Sequence, residues 1–484
     1  MSELKKRTSI YGLRSYCLTF PEVIAQSIAN IAPTVTPTVN AALVFASAGN
    51  GTWLTYVFAT TGLVLVSLNI NQFARRFASS GSFYSYIARG LGPTAGVITG
   101  WALILGYVLT TIAVLCAFAN YGEVLLGAVG VHPSPLFLFA ICAGISWYIA
   151  YKDIQLSTIV MLALEGISIG AILLLGLIVL GKHGFAIDTA QLTLQGTQPG
   201  SIVSGLVLAV FSYVGFESAT TLGDEAQKPL RNIPRAVIMS TVICGLFFVV
   251  LSYIEVLGFK EHTTPLNKSE APLNDLANLA GVGFFGLVIS LGAMVSLFAC
   301  ALASINAGGR ILFAMARHKI FHASLGRAHG KNQTPHVAVT LVALVAFLLA
   351  ASTTLLGVKV LDNYAYFGTI ATYGFLFVYI LVAIASPVYL WHEHQLRAVD
   401  VLYSVLAVVF MVIPAIGSVG IPGENSLFPV PASPYNIFPY LFLLYLVVGG
   451  GWFIMLRLRR PEIIEQMEKD LEAVHTRFGD MKKV

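Results

Sequence analysis

Charge is scarce in this chain. Asp, Glu, Lys and Arg together make up 11% of its 484 residues, against 57% apolar residues, and the mean hydropathy is +0.80. A soluble globular protein needs charge at about one residue in four, so that class is excluded and a polytopic membrane protein is expected. The five cysteines offer no disulfide or metal-ligand spacing: Cys116, Cys142, Cys244 and Cys300 lie inside apolar runs and Cys17 lies in the N-terminal stretch. All ten histidines fall in turns or in the tail, which removes the commonest intramembrane proton relay. His318, His322, His329 and His336 share one turn, where solvated side chains are a better reading than a metal site. No His-Glu-x-x-His, Gly-x-Ser-x-Gly or paired intramembrane aspartates occur, so no enzyme, catalytic residue or cofactor is expected. Nor is there the repeated filter of a channel. The polar lead with Glu3 and Lys5 is unlike a cleavable signal peptide.

What is present is a series of apolar segments of bilayer length. Twelve are read, near 22–48, 52–74, 94–126, 134–151, 155–181, 200–222, 234–259, 282–314, 336–357, 361–391, 399–421 and 436–457. Several exceed what a bilayer requires, so tilt or amphipathic ends are expected. Of the 28 Lys and Arg, only Lys182, Lys260, Lys268 and Lys359 fall on one alternate set of turns. The remaining 24, including Lys5, Lys6, Arg7 and Arg14, fall on the other set. The positive-inside rule then puts both termini in the cytoplasm. That accounts for the net charge of +5 without any nucleic acid. The organisation expected is a cytoplasmic segment 1–21, a transmembrane unit 22–460 and a cytoplasmic tail 461–484. The default location is a bacterial inner membrane, with lipid as the surrounding partner.

Two of these spans carry residues that a continuous membrane helix would not. The sixth contains Phe211-Ser212-Tyr213-Val214-Gly215-Phe216-Glu217-Ser218, followed by Asp224 and Glu225. The first contains Ser27, Asn30, Ile31, Ala32, Pro33, Thr34, Val35, Thr36 and Pro37. Proline removes an N–H and clashes with the preceding turn, so Pro33 would open a new half-helix and leave the N–H groups of Thr34 and Val35 as free donors. Broken helices survive in hydrocarbon only where they line a cavity or are buried in protein. About 184 residues separate the breaks, and each opens a set of five spans. Five is odd, so the two sets face opposite ways. The fold class expected is therefore all-α, twelve transmembrane helices, with an inverted 5+5 repeat over about 22–181 and 200–391 and two extra helices within 399–457.

Three stretches carry a family resemblance. They are Arg75-Arg76-Phe77-Ala78-Ser79-Ser80-Gly81-Ser82 continued through Gly90-Leu91-Gly92-Pro93, the Gly215-Phe216-Glu217 run with its acidic pair and Pro234-Arg235 end, and Asn306-Ala307-Gly308-Gly309-Arg310 with Phe313 to Arg317. The chain resembles the amino acid-polyamine-organocation transporter superfamily, and the three stretches with the span count cover most of residues 20–460. The resemblance implies a leucine-transporter-type fold and alternating access around a site between helices 1, 3, 6, 8 and 10. The substrates it implies are amino acids or related amines. In many relatives a glycine-rich turn in helix 1 holds the substrate carboxylate; here Ala32-Pro33-Thr34 stands in its place. With one donor fewer, the carboxylate would rely on Thr34, Val35 and a hydroxyl such as Ser27 or Thr36, which favours an amine-only or unusually shaped substrate more than in a glycine-bearing relative. Phe211 and Phe216 match the aromatic lid and freed carbonyls of helix 6. With Ser27, Asn30, Ile31, Ala32, Pro33, Thr34, Val35, Ser212, Tyr213 and Gly215 they form the expected substrate site.

Glu165 lies near the centre of the fifth span, where an acidic residue costs roughly 2.5 to 3.5 kcal/mol. It reads either as the protonation site that couples transport or as a carboxyl permanently paired with hydroxyl or backbone groups. Glu217 is the other coupling candidate, although its place after the break favours bracing of helix 6. Glu123 and Glu255 read as outer rim residues. Arg75, Arg76, Arg235, Arg310 and Arg317 could form an inner gate with Asp224 and Glu225, or simply follow the positive-inside rule. A proton is the favoured coupling ion; Ser296 and Ser304 leave a sodium site open. Met467, Leu471, Val474 and Phe478 stripe a short tail helix expected to rest on the inner face. The function expected is a secondary carrier of amino acids or amines by symport or exchange, the other class being a sensor that keeps the carrier fold.

Overall fold

Five helices begin on a proline, at Pro93, Pro135, Pro199, Pro229 and Pro272. Each uses a residue whose missing N–H would be unpaired in a first helical turn anyway. The computed structural model describes residues 12–481 except 153, 261, 270, 424 and 425, and leaves out the side chains at 154–158, 160–162, 164 and 474–481. Lys5, Lys6, Arg7 and Glu3 thus lie outside the described residues. Seventeen α-helices are described: α1 Phe20–Ile31, α2 Ala41–Ala48, α3 Thr52–Ala74, α4 Phe83–Leu91, α5 Pro93–Gly127, α6 Pro135–Lys152, α7 Ile154–Lys182, α8 Thr189–Leu192, α9 Pro199–Phe211, α10 Pro229–Gly258, α11 Pro272–Leu279, α12 Gly283–Arg317, α13 His336–Leu355, α14 Val360–His392, α15 Ala398–Val419, α16 Phe438–Arg459 and α17 Glu462–Met481. Among the described residues there is no strand, only an isolated bridge between Leu18 and Ala226.

Ten helical stretches among the described residues are long and apolar enough to cross a membrane. One of them runs Phe20–Ala74 and includes two left-handed residues, Ala32 and Gly49. The short apolar helix α9 is additional. The centre of the bundle is α5, 89% buried over its apolar window and packed on α12 and α14. Its 35 residues span about 50 Å at 1.5 Å per residue, which a bilayer accommodates by tilt. Helices α15 and α16 are peripheral, 28% and 17% buried; their apolar outer faces have only hydrocarbon to meet. The protein is an integral membrane protein.

The two ends of the bundle differ. One carries the N-terminal stretch, whose Leu13 and Leu18 are buried, and the C-terminal α17. Helix α17 covers this terminal face through buried Ile463, Met467 and Leu471; the side chains of Val474 and Phe478 lie outside the described residues. The opposite face is covered by α11, which packs on α12, α10, α7 and the turn that follows α1.

Candidate functional site

The first interruption is made by Ala32 and Pro33. Ala32 takes a left-handed conformation, φ 47°, ψ 67°, and closes α1 with its N–H on the Ile28 carbonyl. A residue before proline is disfavoured in the helical region, and proline cannot donate to continue the ladder. The chain resumes as a wide π-turn over Thr36–Asn40 before α2. Here the structure corrects the expectation of two free donors: the Val35 N–H is spent on the Ala32 carbonyl at 2.9 Å. The second interruption follows Phe211. Successive tight turns, with Gly215 at φ 94°, lead into a 3-10 segment at Ser218–Leu222. A Cβ on Gly215 would fall 2.8 Å from Asn30 Cβ, so the close approach of the two breaks needs glycine for both space and conformation.

Side chains tie the breaks together. Ser27 Oγ donates to the Phe216 carbonyl (2.7 Å) and accepts from the Ala219 N–H (3.2 Å). Ser218 Oγ donates to the Gln26 carbonyl at 3.1 Å. Asn40 Nδ2 donates to Ser212 Oγ (3.0 Å), and Tyr364 OH to Asn40 Oδ1 (2.6 Å). From α12, Cys300 Sγ donates to the Asn30 carbonyl (3.2 Å) and Ser304 Oγ to Asn30 Oδ1 (2.6 Å).

Between the breaks lies a buried cavity of about 20 Å³, room for a single water. Its apolar lining includes Ile31, Val35, Val114, Phe211 and Val214, and its polar lining Asn30, Asn40, Thr110, Cys300 and Tyr364. Two of its lining residues keep buried polar atoms without a partner, Asn30 Nδ2 and Thr110 Oγ1, and so do Thr34 Oγ1 and Thr36 Oγ1 in the turn that follows α1. An unpaired buried polar group costs about 1 to 3 kcal/mol, so their grouping near one cavity is what a site completed by another molecule would show. Helices α1 and α9 both end here, presenting carbonyls; the chain leading into α2 begins here, presenting N–H groups. Such a site suits a solute bearing both charges.

A model of the amino acid permease family matches residues 22–465. The chain belongs to that family. Among curated relatives of this permease, the branched-chain amino acid permease BcaP of Bacillus subtilis is 25% identical over 352 residues, 69% of this chain and 74% of that one. The low-affinity putrescine importer PlaP of Escherichia coli is 26% identical over 336 residues, 66% and 71% of the two chains. Among solved structures, MhsT in complex with L-phenylalanine aligns with a TM-score of 0.55 at 14% identity, covering 83% of this chain and 98% of that one. A sodium-coupled sialic acid symporter aligns at 0.53 and 12%, covering 88% of each. These structural likenesses place the permease among leucine-transporter-type folds.

Of the residues expected at the substrate site, Asn30, Ile31, Ala32, Val35 and Phe211 line the permease's cavity. Ser27, Ser212 and Gly215 instead join the breaks to each other or to α3. Tyr213 points at α3, its hydroxyl 2.5 Å from Thr60 Oγ1, and Phe216 packs on Tyr379 with centroids 5.2 Å apart. Pro33 shapes the turn, and Thr34 keeps a buried, unpartnered hydroxyl. Asn40, Thr110, Val114, Cys300 and Tyr364 went unread. Asn40 had a local signal, an amide inside the first apolar span; the others come from distant helices and had none.

The intramembrane acids separate sharply. Glu217 accepts from Tyr107 OH at 2.6 Å and Tyr379 OH at 2.8 Å, one phenol on each oxygen. Glu165 is buried, with Oε1 taking the Ser296 hydroxyl while Oε2 has no partner. Ser296, Cys300 and Ser304 are one turn apart on α12, so a single helix face runs from Glu165 to Asn30. Both serine hydroxyls donate there, to Glu165 and Asn30. Glu255 departs from the rim reading: it is fully buried and neither carboxyl oxygen has a partner.

At the terminal face, Arg310 forms a bidentate pair with Glu225, Nε to Oε2 at 2.7 Å and Nη2 to Oε1 at 2.8 Å, with side chains 1% and 0% exposed. Asp224 accepts from the Ser80 N–H at 3.3 Å. Of the other arginines, Arg76 donates to Gln72 and Gln395, and Arg75, Arg235 and Arg317 are exposed. Tyr84 OH lies 2.6 Å from His318 Nδ1, whose Nε2 is 3.6 Å from Asp470 on α17. Burial pushes the His318 imidazole down to about 4, against the pull of Asp470. His329 and His336 pack edge to face 5.1 Å apart. No group of three potential metal ligands occurs among the described residues.

Proposed function

We propose that this permease is a secondary transporter for a neutral amino acid with a small apolar side chain, worked by alternating access and coupled to protons. The observation that carries the reading is the small cavity between two cross-bonded helix interruptions, with unpartnered polar atoms around it. Carbonyl ends of α1 and α9 would receive the ammonium group, and the N–H end leading into α2, with Thr34 and Thr36, the carboxylate. Ile31, Val35, Val114, Phe211 and Val214 would take the side chain. The branched-chain amino acids for which BcaP is named agree with that lining. No carboxylate lines the cavity, so the second charge of a diamine such as putrescine would go unneutralised. Room for one water cannot hold an amino acid, so loading requires the breaks to move apart.

The crossings in this reading number twelve. The stretch Phe20–Ala74 makes two of them, and α9 with its 3-10 continuation makes one. The first ten form an inverted 5+5 repeat, with α15 and α16 added. Both termini lie in the cytoplasm of a cell whose inner membrane holds the protein. The buried Arg310–Glu225 pair is the inner gate, with Asp224 beside it; Arg75, Arg76, Arg235 and Arg317 set topology. Glu217, saturated by two tyrosines, braces the second break. Glu165, half-satisfied and joined to Asn30 along one face of α12, carries the coupling proton. Glu165→Gln keeps a neutral hydrogen-bonding group, so it should retain counterflow exchange of substrate while losing gradient-driven accumulation. Undiminished accumulation in that variant would end the assignment.

A further inference from the structure

Glu255 lies within the last turn of α10 and stands out among the buried groups of this protein. Its side chain has no exposure, and both oxygens lack a hydrogen-bond partner. Among the described residues no ion pair reaches it. The surrounding elements confirm the isolation. Tyr56 on α3 and Tyr121 on α5 lie in electrostatic reach, but their hydroxyls are engaged with Ser212 and with the Thr38 carbonyl. On α11, Asp275 is held by Ser269 Oγ at 2.5 Å. On α7 the titratable groups are Glu165 and Lys182, the latter donating to the Leu279 carbonyl at 3.3 Å. Lys260, just beyond α10, pairs with Asp188. Glu22 on α1 caps the far end of that helix, while α2, the π-turn and the 3-10 segment Ser218–Leu222 have no charged residue. An ionised carboxylate without any partner is not tolerated in such surroundings; the group takes up a proton instead.

The end of α10 that carries Glu255 is overlaid by a short helix. Helix α11 packs across α10, α12 and the π-turn, and its Leu276 sits against Gly258, one turn beyond Glu255. Tyr121 links the same region to the π-turn of the first break. Lifting α11 would admit water to the carboxyl, where ionisation is free.

We propose that Glu255 is a second proton-binding site, occupied while the α11 lid is shut and emptied when the lid lifts, so that external protons favour closure. This rests on the transporter reading for its meaning, with α11 on the outer face, but its test needs no transport. With purified protein in lipid nanodiscs and Glu165→Gln as background, infrared difference spectra at neutral pH should contain a protonated carboxyl band that Glu255→Gln removes. Amide exchange of residues 272–279, divided by the intrinsic chemical rate, should rise toward alkaline pH by up to about tenfold per pH unit, the limit for release of one proton. In Glu255→Gln it should be flat. A band untouched by Glu255→Gln, or lid exchange in that variant as pH-dependent as in the parent, overturns the proposal. Should Glu255→Gln fail to fold, bleaching of the band by alkali in the Glu165→Gln protein, in step with lid exchange, decides alone. Absence of amino acid uptake by the wild-type protein would count against the transporter reading and leave these measurements intact.

Discussion

Arg310→Met isolates the gate. The guanidinium bonds both oxygens of Glu225, and neither side chain reaches solvent. Methionine keeps much of the stem's volume but leaves a buried carboxylate alone, and breaking such a pair from one side costs about 3 to 5 kcal/mol. If the pair parts when the terminal face opens, that penalty falls only on the closed form, because water solvates Glu225 in the open one. At 1.4 kcal/mol per factor of ten, the closed-to-open ratio drops by roughly two to three and a half orders of magnitude. Ser218, buried on the 3-10 segment that precedes Glu225 in the chain, makes a reporter. In a cysteine-free background, Ser218→Cys should react with an impermeant thiol reagent from the terminal side about a hundredfold faster or more once Arg310→Met is added. Adding Glu225→Gln removes the lone charge and should restore most of the protection. Unchanged labelling, with the whole penalty appearing as a lower melting temperature, would show that the pair is a static brace and refute the gate.

Two further outcomes follow from named contacts. Gly215→Ala adds a Cβ in a conformation, φ 94°, that L-residues avoid and drives it against Asn30. With about 1 to 3 kcal/mol of overpacking placed on the joint between the breaks, uptake should fall at least about tenfold while the protein still inserts and purifies as a monodisperse species; wild-type rates would mean that the joint is slack. Burial holds His318 neutral down to about pH 4 when folded, against 6.5 ordinarily. The unfolded state therefore binds the extra proton in that window, so the fold is at full strength above the upper value, loses stability as pH falls toward the lower, and changes no further below it. The melting temperature should fall through that window in the wild type and by less in His318→Gln.

How far the sequence carried depends on whether the signal was local. Helix α3 was legible from end to end, because an unbroken apolar run between Gly51 and Arg75 needs no tertiary context. Both interruptions were legible for the same reason: Ala32-Pro33 and Gly215 break a helix by their own backbone chemistry. Helix α10 begins five residues before the expected 234, since Pro229 opens it and Pro234 is carried within it. The cavity's far wall could not be read. Thr110, Cys300 and Tyr364 look like ordinary members of apolar helices until α5, α12 and α14 converge. Glu255 was misread because the packing at its end of α10 includes α11, an eight-residue helix too short to register as a hydrophobic span.

The central claim is that the cavity between the breaks carries a zwitterionic amino acid on a proton gradient. Sodium-free proteoliposomes offered labelled apolar amino acids, polar amino acids and putrescine, with and without an inward proton gradient, test it directly. Gradient-stimulated accumulation of the apolar amino acids, with putrescine excluded, is the result expected. Uptake of putrescine in preference to every amino acid, or no uptake of any solute even into preloaded vesicles, would contradict it.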